Sequence, residues 1–261
     1  MHDVFVREYN ANVNVIKACH PKDASPQQTI HYCRTEVYKD MKQKDIKIPE
    51  ATIKRLSAYI NCLERLDDKG YQVVSSELLG ESCQVSPAQI RKDLSYFGEF
   101  GVRGVGYTTK TLTEQIKVIL GLDRIWPTVL VGVGHLGHAL LNFTFIREHG
   151  YRMVAAFDSD PNKIGNEVAE GLHIRSIEEL VEISSQEKAA IGIVTVPASS
   201  AQSTADLLVE GGVSGILNFA PFKVKVPDHV TLRNVSIVSE LDNLAYLLSS
   251  KKPRRRRKKI K

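Results

Sequence analysis

The sequence predicts an α/β protein of two domains, a small helical unit followed by a doubly wound parallel sheet. Three observations carry this. Apolar residues recur at helical spacing between Pro49 and Phe97, glycines stand at 132, 134 and 137 between an apolar run and a helical one, and strand-like runs then alternate with helical segments as far as Leu217. With 261 residues and 43% hydrophobic content, the chain is long enough to bury two cores. No apolar run reaches membrane-spanning length, and the first residues lack the basic start and apolar centre of a signal peptide. The expectation is a soluble, cytoplasmic protein.

The first helix begins at Pro49 and runs to Leu66, with Ile53, Leu56, Ile60 and Leu63 on one face. Ser75 or Ser76 suits the cap of a short second helix through Leu79. A third helix has Ser86 as N-cap, Pro87 at its first position, and a buried stripe of Ile90, Leu94 and Phe97. Three helices with short turns, the last polar and basic, make a helix-turn-helix pattern. Gln89 and Arg91 are side-chain types that grip adenine and guanine edges, and Lys92, Ser95 and Tyr96 suit phosphates. On its own this helix would pass equally well for a surface helix. The glycine-rich stretch after it tips the balance: Gly98, Gly101, Gly104 and Gly106 bracket Val102, Arg103, Val105 and Tyr107 in a pattern that predicts a tight β-hairpin, a wing with Arg103 at its tip to enter a minor groove. The residues expected on DNA are Lys54, Arg55, Ser86, Gln89, Arg91, Lys92, Ser95, Tyr96, Arg103, Gly104 and Tyr107.

In the second domain a short buried strand, Thr128 to Val131, meets the G-x-G-x-x-G arrangement of Gly132, Gly134 and Gly137, which encloses Val133, His135 and Leu136. A helical stretch then runs to about Glu148. The first glycine permits a tight turn, the second lets backbone approach a pyrophosphate, and the third lets helix pack on strand. The next apolar strand, Met153 to Phe157, ends at Asp158, 21 residues beyond Gly137. An acid there bonds a ribose 2′-hydroxyl and repels a 2′-phosphate, so NAD(H) is the expected cofactor; Asp160 is placed to share the task. Ala190 to Val196 and Val213 to Leu217 read as further strands, with a helix from Ser199 to Glu210 between them. Ligands in such sheets bind beyond the carboxyl ends of strands, where Thr195, Val196 and Pro197 and then Asn218, Phe219 and Ala220 stand. Plain turn chemistry from Pro197 and Pro221 accounts for those two loops equally well.

Net charge is +5, but nine of the 35 basic residues lie in the last eleven, Lys251 to Lys261, so residues 1–250 carry 26 positive against 30 negative charges. Within residues 49–107 seven basic residues face eight acidic ones, so contact with DNA has to come from local placement rather than bulk charge. The basic tail reads as a solvated charge run, or as a source of sequence-independent DNA affinity. Residues 1–47 show no long periodicity and read as an extension without stable structure; Met41, eight residues before Pro49, is a candidate translation start. Cys19, His20, His31 and Cys33 lack usual zinc spacing, so no metal is expected, and with Cys62 and Cys83 the four cysteines fit reduced thiols better than a disulfide framework.

IPEATIKRLSAYI, SPAQIRKDLSYFGEFG and RGVGY resemble the N-terminal domain of the Rex family, the NADH-responsive bacterial repressors, and the likeness spans roughly residues 48–249. The resemblance implies a winged helix-turn-helix domain on a Rossmann-like domain, NAD(H) as cofactor, and release of a palindromic operator of TTGTGA type by NADH. It also marks the TVPA and NFAP loops as cofactor-lining. It further implies a homodimer in which the helix near Glu240 to Leu248, with Leu241, Leu244, Ala245 and Leu248 on one face, crosses to the partner subunit. Asn61, Phe143 and Ser236 stand where many members have arginine, tyrosine and aspartate.

The domains then read as 1–47 extension, 48–110 winged helix, 111–126 connecting helix, 127–238 Rossmann domain, 239–250 dimerisation helix and 251–261 tail. Two other functions fit parts of the chain. A dehydrogenase would use the same dinucleotide fold, but His135, His138, His173 and His229 carry no catalytic signature and no Tyr-x-x-x-Lys is present, so an enzyme is not expected. A thiol-based regulator would act through Cys62 or Cys83, of which Cys62, on an apolar helix face, reads mainly as core.

Overall fold

A computed structural model describes residues 48–250, and the chain divides into two compact units after Arg124. The cysteines and histidines at Cys19, His20, His31 and Cys33, the candidate start Met41 and the basic tail lie outside the described residues.

In the first unit, helix α1 (Glu50–Asp68) buries Leu56, Tyr59, Ile60, Leu63 and Leu66. Ile53, expected on that face, is 36% exposed, so the apolar stripe begins one turn later. Strand β1 (Val73–Val74) leads to α2 (Ser76–Cys83), whose cap is Ser75: its Oγ accepts from the Leu78 amide at 3.2 Å. The turn to α3 (Pro87–Ser95) is tight enough to need Gly80, where a Cβ would stand 2.5 Å from the Val85 carbonyl oxygen. Ser86 caps α3, accepting from the Gln89 amide at 3.2 Å.

Two elements depart from the expected form. The wing is closed by one antiparallel bridge, Val102 to Gly106, rather than a hairpin ladder, because Gly101, Gly104 and Gly106 all adopt positive φ that a regular strand does not use. The chain returning from it forms β2 (Tyr107–Thr108), paired antiparallel with β1. Residues 111–126, read as a connector, hold most of α4 (Thr109–Leu120), whose Leu112 and Ile116 enter the same core as α1.

The second unit is built on a seven-stranded sheet: β3 (Trp126–Val131), β4 (Tyr151–Asp158), β5 (Glu167–Ala169), β6 (Leu172–Ser176), β7 (Ile191–Val194), β8 (Gly215–Asn218) and β9 (Thr231–Asn234). The order is β5-β6-β4-β3-β7-β8-β9, with only β5 antiparallel to its neighbour. The chain thus starts in the middle and winds outward both ways, leaving a crevice at the carboxyl ends of β3 and β7. Both sheet faces are covered: Val129, Val131 and Phe157 pack on one side, with Leu208 of the helix α8 (Ala201–Glu210), and Leu130, Ala156 and Ile193 on the other. The single helix expected through Glu148 is two, α5 (His135–Leu141) and α6 (Thr144–Glu148), broken at Asn142 and Phe143; the Asn142 amide turns aside to donate to the Val168 carbonyl at 3.0 Å. A short helix α7 (Leu180–Gln186) precedes β7, and α9 (Ile237–Ser250) ends the described chain.

If α4 is integral to the first core, Ile116→Ala should lower the stability of that unit by about 2–5 kcal/mol in chemical denaturation of the full chain; a helix serving only as a linker would leave it unchanged.

Candidate functional site

On α3 the residue that organises the surface is Asp93, fully buried although it lies in a polar helix. Its Oδ1 accepts from Thr52 Oγ1 at 3.1 Å, Arg55 Nη2 at 2.7 Å and Gln89 Nε2 at 2.8 Å. Its Oδ2 accepts from Arg55 Nε at 2.5 Å and the Tyr59 hydroxyl at 2.8 Å. Burial alone would raise this carboxyl, but donation from Arg55, Tyr59, Gln89 and Thr52 outweighs it and holds Asp93 below the ordinary carboxylate range. Arg55 and Gln89, expected simply to reach for DNA, are therefore first of all tethered to α3 itself.

The other expected DNA contacts sort by what already holds them. Arg91 donates to Ser76 Oγ at 2.5 Å and pairs with Glu77 at 3.3 Å, and Lys54 pairs with Glu50 at 3.3 Å. Ser86 Oγ is spent on its cap, and Ser95 Oγ donates to the Lys92 carbonyl. Lys92 and Arg103 are exposed with no acidic partner among the described residues, Tyr96 is half-buried, and Gly104, at φ +82°, has open space where a Cβ would stand. Tyr107 is more deeply set than the others: only 8% exposed, it packs beneath the wing in the first core and lines the floor of the cleft between α3 and the wing. Between α3 and the wing lies a cleft of about 620 Å³, lined in part by Arg91, Ser95 and Arg103.

In the second unit the glycine loop is drawn against both neighbouring strands. Gly132, at φ +98°, donates to the Phe157 carbonyl, and a Cβ on it would stand 2.8 Å from the Thr195 carbonyl. The Thr195 hydroxyl donates to the Gly132 carbonyl at 2.7 Å, so this side chain fastens the loop. A Cβ at Gly137 would meet the Gly132 carbonyl oxygen at 2.2 Å, whereas at Gly134 it would meet nothing within 4 Å. Gly132 and Gly137 are thus packed closely against neighbouring backbone, while Gly134 stands exposed just before α5. His135 and Leu136 are exposed beside it, Pro197 is exposed, Val196 and Phe219 are half-buried, and Ala220 is buried.

Asp158, at the end of β4, is 8% exposed and more deeply engaged than the sequence suggests. Its Oδ2 accepts from the Val133 amide at 2.8 Å and from Lys163 Nζ at 3.0 Å, and its Oδ1 from the Asp160 amide at 2.9 Å. Burial opposes ionisation, but these donors hold the carboxyl below its usual range. The Val133 amide is consequently turned to the protein rather than to a phosphate. Asn218 is likewise corrected: it has no exposed surface, its Oδ1 accepts from the Ala220 amide, and its Nδ2 donates to the Phe222 carbonyl and to Asn234 Oδ1. It shapes the loop after β8 from beneath instead of lining the site.

Family models match both parts of the chain, a putative DNA-binding protein N-terminus over residues 47–95 and a CoA binding domain over residues 123–222. A redox-sensing transcriptional repressor Rex of Syntrophobacter fumaroxidans is 50% identical over 79% of this chain and 98% of its own length. The Rex 1 protein of Thermotoga maritima is 47% identical over 77% of this chain and 95% of its own. The chain belongs to the Rex family. A solved Rex-family repressor, RSP in complex with beta-NAD+ and operator DNA, is similar at a TM-score of 0.74 and 36% identity, covering 78% of this chain and 94% of that one. RSP in complex with beta-NADH is similar at 0.70 and 34% identity, over 78% and 95%.

Against the Rex resemblance, the three divergent positions are unlike one another in setting. Asn61 is half-buried on α1, Phe143 is 56% exposed at the break before α6 and stacks 5.9 Å from Phe145, and Ser236 accepts from the Ser239 amide at the start of α9. The two thiols among the described residues sit in the first core: Cys62 is buried, with Arg65 Nη2 3.2 Å from its Sγ, and burial together with the neighbouring Cys62 pushes the Cys83 thiol well above its ordinary value. A thiol so disfavoured as thiolate is a poor nucleophile.

Substitution of the glycines should separate the two roles. Gly134→Ala should unfold at the wild-type temperature yet bind NADH at least tenfold more weakly in a fluorescence titration, while Gly137→Ala should unfold at lower temperature with or without cofactor. Equal loss of stability in both would contradict the assignment.

Proposed function

We propose that this chain is a DNA-binding repressor that senses the NADH/NAD+ balance, with NADH binding to the second unit releasing a palindromic operator from the first. The observation that carries the reading is the pairing, in one chain, of a helix-turn-helix surface with a dinucleotide crevice whose only unpacked fingerprint glycine, Gly134, opens the first helix after β3. Relatives named as redox-sensing repressors, and RSP solved with NAD+ and operator DNA and separately with NADH, support the same assignment. The cofactor is NAD(H): Gly134, His135 and Leu136 face the pyrophosphate, Asp158 the ribose, and Val196, Pro197 and Phe219 line the nicotinamide side. Thr195, Val133 and Asn218 hold the loops in place.

The wing and α3 form a winged helix in which Lys92, Tyr96 and Arg103 meet phosphates and groove, and Gln89 and the free edge of Arg55 face the bases. The chain acts as a regulator rather than an enzyme, a reading supported by relatives named as transcriptional repressors. No described helix is long and apolar enough to cross a membrane, and the repressor works on cytoplasmic DNA. A hundredfold loss of operator affinity requires about 2.7 kcal/mol of coupling between the two sites. NAD+ and NADH differ only at the nicotinamide ring, so discrimination lies at that end, where Phe143 and Ser236 replace a hydroxyl and a carboxylate.

The exposed face of α9 supports a homodimer. Its Leu241, Leu244, Leu247 and Leu248 are each more than half exposed in the single chain, and the helix has no buried residue. Such a ridge is covered when α9 packs across a two-fold axis against the partner, which also matches two operator half-sites.

Two measurements test this. Fluorescence anisotropy on a labelled TTGTGA inverted repeat at fixed salt should show NADH raising the apparent Kd at least tenfold and NAD+ leaving it nearly unchanged; indifference to both would leave a DNA-binding protein without a redox switch. Leu244→Glu should convert a dimer to a monomer in sedimentation velocity, and a wild-type chain that sediments as a monomer would remove the basis for the dimer.

A further inference from the structure

A recognition helix reads sequence only where its side chains hold one hydrogen-bond pattern toward the groove. A free glutamine amide can present either of its ends to a base pair, because rotation by half a turn exchanges the carbonyl and the NH2 group. Gln89 does not have that freedom. Its Nε2 donates to Asp93 Oδ1 at 2.8 Å, and Asp93 is an ionised, fully buried carboxylate that can only accept. Turning the amide over would set Oε1 against a carboxylate oxygen.

The carboxylate is itself immobile. Arg55 grips it through Nε and Nη2, Tyr59 and Thr52 donate to it from the same helix, and Arg55 Nη2 also donates to Thr52 Oγ1 at 3.3 Å. The half-buried Gln89, in the first turn of α3, therefore shows solvent one fixed pattern: the Oε1 acceptor and the second N–H of Nε2. Adenine offers the complement in the major groove, an N6–H donor beside the N7 acceptor, whereas guanine offers two acceptors, O6 and N7.

We propose, resting on the reading of α3 as a DNA-recognition helix, that Asp93 is a positioning residue for base recognition, which locks the Gln89 amide in the orientation that reads adenine and rejects guanine. Arg55 then has a double part. It holds the carboxylate through Nε and Nη2, and its side chain, 29% exposed, keeps Nη1 as a cation for an adjoining phosphate.

The test uses the full chain and the TTGTGA inverted repeat. Each adenine on either strand is replaced in turn, symmetrically in both half-sites, by a purine nucleotide that keeps N7 and lacks the N6 amine. Wild type should lose about tenfold in affinity at one of these positions, and Gln89→Ala should lose less than about twofold there. Asp93→Asn, checked by circular dichroism and thermal unfolding, should flatten the same position or favour guanine, since an asparagine NH2 can accommodate the turned-over amide. Should that buried substitution fail to fold, Gln89→Glu decides: its carboxylate cannot donate to Asp93 and is repelled by it, so it leaves the place the amide held beside the groove and the ratio between the two duplexes should collapse. An amine penalty that survives in Gln89→Ala, or survives undiminished in Gln89→Glu, would overturn the proposal while leaving the repressor reading intact. Failure of the wild type to prefer the palindrome to a scrambled duplex would instead overturn the repressor reading and the proposal with it.

Discussion

A carboxylate removed from water must be matched donor for donor, or the element that carries it does not dock. Asp93 meets that condition with five donated hydrogen bonds, four of them from α1. Helix α3 is thereby fixed against α1 by a directional network as well as by Ile90 and Leu94, which bury no polar atom and tolerate small rotations. Apolar packing sets how close α3 lies; the carboxylate sets its rotation and axial position. The side chains proposed to meet DNA inherit their geometry from that second constraint.

The second unit solves a related problem with the same chemistry. Its glycine loop has few side chains of its own with which to be held, so the anchoring comes from outside: Thr195 donates to it from the end of β7, and Asp158 accepts from the Val133 amide at the end of β4. Both anchors sit on the strands that flank β3 in the sheet. On the proposed reading the cofactor's phosphate and ribose contacts would be coupled, because the acid proposed for the ribose also holds the glycine loop. Lys163, paired with that acid, lowers the local negative charge at the same corner.

What was legible in the sequence was whatever depends on local pattern. The helix-turn-helix followed from apolar spacing and from Ser75, Ser86 and Pro87, and the dinucleotide fold from three glycines set between strand and helix. Strands β5, β6 and β9 were missed because they are short, lie at or next to the sheet edges and alternate polar with apolar residues too briefly to register, as in His173 to Arg175. The Asp93 network was missed because an acid among basic residues on a polar helix looks like surface. A signal was present in α1, where Thr52, Arg55 and Tyr59 form a polar line alongside Leu56, Ile60 and Leu63. Asn218 was misplaced because a polar side chain next to a loop serves equally well to shape it from below. The sequence shows adjacency but not which way a side chain turns.

The wing, finally, has a thermodynamic signature. Nine residues from Gly98 to Gly106 hold four glycines and are closed on themselves by a single bridge. Glycine loses more backbone freedom on being immobilised than any other residue, and a segment ordered against a groove surrenders it at the moment of contact. Insertion of this wing, as proposed, would therefore carry an unfavourable entropy that grows in weight with temperature, set against the enthalpy of the contacts assigned to Arg103 in that proposal. On the proposed reading, the grip on DNA would be a function of heat as well as of cofactor, loosening on warming.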